Sequence, residues 1–150
     1  MKYLLFVSWL LLMPKAYSQC DYSIADLINL FSKNLSEIEN FTLEQGMTYH
    51  SEGEMYACAD NKGVFGLSVG DGFQQIVSNT GHRSKYLAWK KEIETYKNAK
   101  LIETKLEKGA YHYVYLIEVE GSEMRTQITC YYELLEGNVF SGLVSILLFF

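Results

Sequence analysis

Three histidines are the side chains in this sequence best suited to acid–base chemistry near neutral pH. They are His50, His82 and His112, and none has a partner at the H-E-x-x-H spacing of a zinc site. His82, in the stretch TGHRS, stands in a predicted loop just before a predicted helix. Because functional side chains concentrate on loops, His82 is the best candidate of the three. His112 shares a predicted strand face with Glu118 and Glu120, which favours a hydrogen-bonded surface side chain.

Other catalytic patterns are incomplete. The G-x-S-x-G sequence of a nucleophile elbow does not occur, and the run from Gly66 to Gly72 lacks the Gly-Lys-Ser/Thr ending of a phosphate-binding loop. The pairs Glu52/Glu54 and Glu118/Glu120 have i, i+2 spacing, which on strands favours a solvated face over an acid–base pair. The sequence therefore predicts no catalytic residue, metal site or cofactor, and favours a protein that is not an enzyme.

A tyrosine stripe is the other feature with binding potential. Tyr111, Tyr113 and Tyr115 alternate along a predicted strand and so share one face. Because tyrosine packs through its ring while its hydroxyl bonds, such a stripe forms either a core wall or a binding surface. The core wall is favoured. In the alternative, the three tyrosines and His82 are the candidate binding residues.

The N-terminal residues 1–18 have the organisation of a secretory signal peptide. A lysine precedes a short apolar run over 3–13, and small residues occupy the −3 and −1 positions of a cleavage site between Ser18 and Gln19. The run is far shorter than the roughly 20 residues that span a bilayer. A lipid-anchored Cys20 is the less favoured alternative, because lipoprotein processing requires a small residue before the cysteine. We therefore expect a secreted or periplasmic protein.

The mature chain, 19–150, has the length of one domain. The whole chain has a formal charge of −5, and removing the two lysines of the signal peptide gives −5 − 2 = −7. An acidic surface disfavours nucleic acid and anionic membranes as partners. The aromatic content of 15% argues against disorder. The expected partner is therefore another protein or an envelope component, and no transmembrane segment is predicted in the mature chain.

Export allows the cysteines to form a disulfide. The chain contains Cys20, Cys58 and Cys130, with no C-x-x-C spacing. Cys58 and Cys130 both lie in predicted strands, so they are the first candidate pair. Pairing of Cys20 with either of them is the alternative.

Periodicity predicts three helices, over about 24–34, 37–45 and 84–97. The first begins at a capping box of Ser23 and Asp26, and the second at one of Ser36 and Glu39. Alternating residues predict the strands, which cover 47–51, 55–59, 64–69, 73–77, 101–120, 123–134 and 139–150.

The apolar C-terminal stretch GNVFSGLVSILLFF is too short for a membrane helix. Its period of two predicts a strand that pairs with 123–135 through a turn at Gly137-Asn138 and closes the sheet.

The predicted fold class is α+β, with about three helices packed on an antiparallel meander sheet. Helix 37–45 with its strands is echoed by helix 84–97 with its strands, which suggests two tandem helix-plus-sheet units. Such units are similar to periplasmic modules and secreted inhibitors that bind other proteins. The alternative is a cone-shaped α+β barrel similar to nuclear-transport-factor-like domains, which would favour small-ligand binding or hydrolysis.

Four stretches carry a further resemblance: YSQ, SIADLINLF, EIENFTLEQGMTY and YLAWKKEIETYKNAKLIETKLEKGAYHYVYLIE. With them, the chain resembles the small uncharacterised secreted or periplasmic proteins of Bacteroidetes-type bacteria. The resemblance implies a compartment and a fold, and it supplies no catalytic residues. The favoured function is thus an exported, non-enzymatic binding domain.

Overall fold

A computed structural model describes residues 20–60, 62–107, 109–133 and 139–149. The predicted signal peptide and the predicted turn at Gly137-Asn138 lie outside these ranges. The described residues form an α+β fold, as the sequence predicts, with three α-helices and one eight-stranded antiparallel sheet. The sheet is open, so the chain is not a closed barrel.

The helices are α1 (Ile24–Asn29), α2 (Leu35–Glu44) and α3 (Arg83–Thr95), with a 3-10 turn, Leu30–Ser32, after α1. The strands are β1 (Thr48–His50), β2 (Met55–Ala57), β3 (Gly63–Gly70), β4 (Phe73–Thr80), β5 (Lys100–Glu107), β6 (Ala110–Val119), β7 (Ser122–Glu133) and β8 (Val139–Phe149).

The sheet consists of two meanders joined at its centre. The strand order is β1-β2-β3-β4-β8-β7-β6-β5, so each half is a helix followed by four consecutive strands, and the last strands of the two halves pair with each other. The two helix-plus-sheet units suggested by the sequence therefore share one continuous sheet.

Side-chain caps set where the first two helices begin. At α1 the Ser23 Oγ accepts from the Asp26 N–H at 3.1 Å, and the Asp26 carboxylate accepts from the Ser23 N–H at 2.8 Å, which confirms the predicted capping box. At α2 the box is formed by Asn34 and Glu37. The predicted Ser36 box is wrong, because Asn34 is also a good cap and has a carboxylate three residues later, so the helix begins earlier.

All three helices lie on one face of the sheet, which we call the inner face. Leu27 of α1, Ile38 of α2 and Trp89 of α3 are buried in one core with the strands. Tyr86 of α3 lies so close to β8 that a Cβ added to Gly142 would be 2.5 Å from its ring. Only glycine permits this approach of helix and strand.

The apolar C-terminal stretch forms β8. It pairs with β7, as predicted, through a register that includes Met124↔Leu148. It pairs equally with β4, for example Ile76↔Ile146, so it is a central strand and not the closing one. Pairing on both sides engages its backbone N–H and C=O groups within the sheet. In the part of the chain that the structure describes, no helix has the length and apolarity needed to cross a membrane.

One disulfide joins the N-terminal segment to the sheet. Cys20 is bonded to Cys58, which follows β2, with a Cα–Cα distance of 5.8 Å, and both residues are buried. The pair expected first, Cys58 with Cys130, is therefore replaced by the alternative. Cys130 lies in β7, and three strands, β3, β4 and β8, lie between β7 and β2, whereas a disulfide spans at most about 7 Å between Cα atoms.

Candidate functional site

His82, the leading catalytic candidate, forms a pair with Asp60. It precedes α3, where its backbone N–H donates to Thr80 Oγ1 at 3.1 Å. Its Nε2 lies 2.9 Å from Asp60 Oδ2, and Asp60 Oδ1 accepts from the Lys62 N–H at 2.9 Å. The hydrogen bond from His82 is the main reason that the pKa of the Asp60 carboxyl is lowered. The imidazole is thus held in one orientation by a carboxylate.

Lys85 lies nearby, in the first turn of α3. Its Nζ stands 3.8 Å from the ring centroid of Tyr22 and 5.1 Å from that of Trp89. Burial lowers the pKa of Lys85 to about 8, although Asp21 and Asp60 favour its charged form. Burial also raises the pKa of Tyr22 to about 12. The aromatic faces replace part of the water around the ammonium group.

The space beside these groups is too small for a substrate. The cavity lined by Cys20, Cys58, Asp60, His82 and Lys85 measures about 10 Å³, which is about one water molecule. We therefore assign these side chains a structural role, which is to hold the N-terminal segment against α3.

A larger groove of about 450 Å³ lies on the other side of Lys85. Two of its carboxylates are engaged, because Glu92 accepts from the N–H groups of Ile24 and Ala25 at 2.9 and 2.8 Å and Asp26 caps α1. The third, Asp21, favours the charged form of Lys85, so the groove is the seam between α1 and α3.

The other two histidines lie elsewhere. His50 is exposed on the edge strand β1, while His112 lies on β6, and five strands separate β1 from β6. The three histidines do not converge. Within the described ranges, no group of three or more His, Cys, Asp or Glu side chains could hold a metal ion.

The tyrosine stripe runs from the core to solvent. The Tyr115 hydroxyl donates to Glu94 of α3 at 2.8 Å, and Lys90 Nζ stands 4.7 Å from the ring centroid of Tyr113. Helix α3 therefore covers these two tyrosines, while Tyr111 is 44% exposed. Only this end of the stripe is well placed to contact a partner.

The opposite side of the sheet, which we call the outer face, was not singled out by the sequence. Directly paired residues of an antiparallel sheet share a face. The register therefore places one row of side chains across it, made of Ser68, Gln75, Leu147, Arg125, Leu116 and Lys100. None of the described helices lies over this row. A Cβ added to Gly66, on the same face, would meet nothing within 4 Å.

The outer face combines apolar and polar side chains. Phe149 is 56% exposed, and Val77, Leu143 and Leu147 are half-buried. Val114 is buried on this face although none of the described helices covers it. The outer face is therefore neither uniformly polar nor uniformly apolar.

A groove crosses the outer face over β3. It has a volume of about 440 Å³ and is bordered by Gly53 and Met55 of the β1–β2 hairpin, with Val64, Gly66 and Val77 at its base. Sequence reasoning missed this groove, because it depends on how the hairpin folds over the neighbouring strands.

Comparison with protein-family models, with curated proteins and with solved structures found no match to the chain.

Proposed function

We propose that this chain is an exported, non-catalytic domain that binds another protein or an envelope component through the outer face of its sheet. One observation carries the proposal. The described helices cover only the inner face of an open eight-stranded sheet, and the outer face presents half-exposed apolar side chains and a groove of about 440 Å³. An antiparallel sheet can leave one face to solvent, but exposed apolar side chains beside a groove favour a partner that buries them.

The charges favour a protein as the partner. The outer face carries both signs, with Lys105 and Arg125 next to Glu103 and Glu107. The whole chain is acidic, with a formal charge of −5. A mixed face on an acidic molecule attracts neither nucleic acid nor an anionic membrane.

Export is supported by two features. Residues 1–18 have the signal-peptide pattern, and the Cys20–Cys58 disulfide suits an oxidising compartment. A lipid-anchored Cys20 would need its sulfur for a thioether, which the disulfide precludes. We therefore propose a secreted or periplasmic protein that is not a lipoprotein.

The alternative function, small-ligand binding or hydrolysis, has less support. It needs a deep pocket with converging histidines. His82 instead adjoins a cavity of about 10 Å³, and His50 and His112 lie on distant strands.

Site-specific photo-cross-linking tests the proposal. A photoreactive amino acid replaces Phe149 on the outer face or, as a control, Leu43, which is 69% exposed on α2. Cross-linking takes place in intact cells that export the protein. We expect a defined protein adduct from position 149 and none from position 43.

A substitution in the groove provides the matched test. Gly66→Arg fills the space over β3, whereas Gly66→Ala leaves most of it open. We expect the arginine variant to lose the adduct and the alanine variant to keep it, with both folded by circular dichroism. Equal adducts from positions 149 and 43 would overturn the proposal. So would the absence of any protein adduct together with thermal stabilisation of the protein by a small molecule.

A further inference from the structure

Strand β5 is an edge strand of the sheet. In the described part of the chain it pairs only with β6, and all eight of its residues are exposed. The side chain of Leu106, for example, is 61% exposed although it is apolar. A long edge strand presents a row of unpaired backbone N–H and C=O groups, which another strand can satisfy.

The register of β5 assigns its side chains to the two faces. A bulge at Ile102 shifts the alternation. Beyond it, Glu103 and Lys105 lie on the outer face, opposite Val114 and His112, while Thr104 lies on the inner face opposite Tyr113. Charged residues thus alternate in sign along the outer face of the edge.

This alternation makes the strand complementary to itself. Two copies of a strand can pair antiparallel about a two-fold axis. The axis then lies between one residue and the same residue of the second copy, and we name the axis by that residue. A residue a given number of positions before it faces the residue the same number of positions after it in the second copy. An axis at Thr104 places Glu103 opposite Lys105 of the second copy, and the symmetry repeats this pair on the other side of the axis. It also places Ile102 opposite Leu106.

Other registers are poorer. An axis at Glu103 or at Lys105 places that charged residue opposite its own copy, which is repulsive. An axis at Leu106 opposes Lys105 to Glu107 but joins only the last three residues of the strand. Among these registers, the axis at Thr104 therefore brings opposite charges together near the middle of the strand, with the bulge at Ile102 at one end of the overlap.

We propose that β5 pairs with β5 of a second copy of this chain about a two-fold axis at Thr104, so that two eight-stranded sheets become continuous. The proposal does not require the proposed function: Glu103 and Lys105 lie at the margin of the outer face, but the second copy pairs with the backbone edge of β5 and leaves the groove over β3 free. Because the axis is perpendicular to the sheet, both outer faces lie on the same side of the dimer. A strand-edge interface is small, so we expect a dissociation constant of about 1–100 µM.

Analytical ultracentrifugation of the exported protein tests the dimer. Lys105→Glu places glutamates opposite Glu103 at both contacts, and we expect the dissociation constant to rise at least about tenfold. The double variant Glu103→Lys/Lys105→Glu exchanges the charges and should restore the wild-type value. Lys33→Glu, on the exposed start of α2, changes the net charge equally and should have no effect.

The outcomes separate specific pairing from general repulsion. Three results would each overturn the dimer. The wild-type protein could stay monomeric to about 1 mM, Lys105→Glu and Lys33→Glu could weaken dimerisation equally, or the double variant could fail to recover the wild-type dissociation constant. Lys105 is exposed, so the variants should fold, and their thermal midpoints provide the check. The adduct at position 149 is measured independently, so the dimer and the proposed function can fail separately.

Discussion

Among single residues, Lys85 shows how the fold alters an ordinary side chain. Its ammonium group stands over the ring of Tyr22 in a half-buried site, and burial lowers its pKa to about 8. The unfolded chain keeps the ordinary value of 10.5. Between these two values the unfolded chain holds a proton that the folded protein releases, so stability rises with pH in this range.

The first prediction concerns this pH dependence. In Lys85→Met the rise in the free energy of unfolding between about pH 8 and pH 10 should shrink, because no proton is released at this position. Above about pH 10 both proteins should lose stability, because burial raises the pKa of Tyr22 from 10.0 to about 12. Urea unfolding at pH 8, 9 and 10 measures the slope. Lys97→Met, at an exposed position, is the control, and an equal slope change in both variants would contradict the assignment to Lys85.

A second prediction compares two glycines in the sheet. Gly142→Ala places a methyl group against the ring of Tyr86, which is buried and cannot withdraw. We expect a loss of about 1–3 kcal/mol in the free energy of unfolding. Gly66→Ala, on the open outer face, should change it by less than about 0.5 kcal/mol. Urea titration of both variants tests the difference, and equal effects would mean that α3 does not press on β8.

At the scale of elements, the sequence predicted most helices and strands but not all of their limits. Ser23 and Asp26 define the start of α1 through local hydrogen bonds, which a capping box in the sequence reveals. The start of α2 was predicted at Ser36, but Asn34, whose side chain also forms caps, is the N-cap in the structure. The outer-face groove depends on contacts between the β1–β2 hairpin and β3, so no local pattern could indicate it.

The disulfide provides a prediction at this scale, since it ties the segment before α1 to the end of β2. Its cysteines are 38 residues apart, and removing such a bridge costs about 2–4 kcal/mol of stability. The Cys20→Ser/Cys58→Ser variant should show this loss in urea unfolding. Peptide mapping without reduction should recover a linked pair containing Cys20 and Cys58. A Cys58–Cys130 peptide would contradict the structure.

For the whole molecule, the last strands of the two meanders, β4 and β8, pair with each other, and the continuity of the sheet depends on that junction. Deletion of 139–150 removes the strand that lies between β4 and β7. We expect the shortened protein to unfold or aggregate, not to be released from a membrane. Circular dichroism and gel filtration provide the test, and a folded monomer with cooperative unfolding would contradict the prediction.

The sequence by itself determined what depends on neighbouring residues: the α+β class, the helix cap at Ser23 and the alternation of the strands. It also indicated that the apolar C-terminal stretch is a strand. Only the tertiary structure decided that this strand is central, that Cys58 joins Cys20, and that α3 covers Tyr113 and Tyr115 while none of the described helices lies over the outer face. The physical reason is that strand order and helix placement arise from contacts between residues far apart in the chain, and those contacts leave no periodic signal in the sequence.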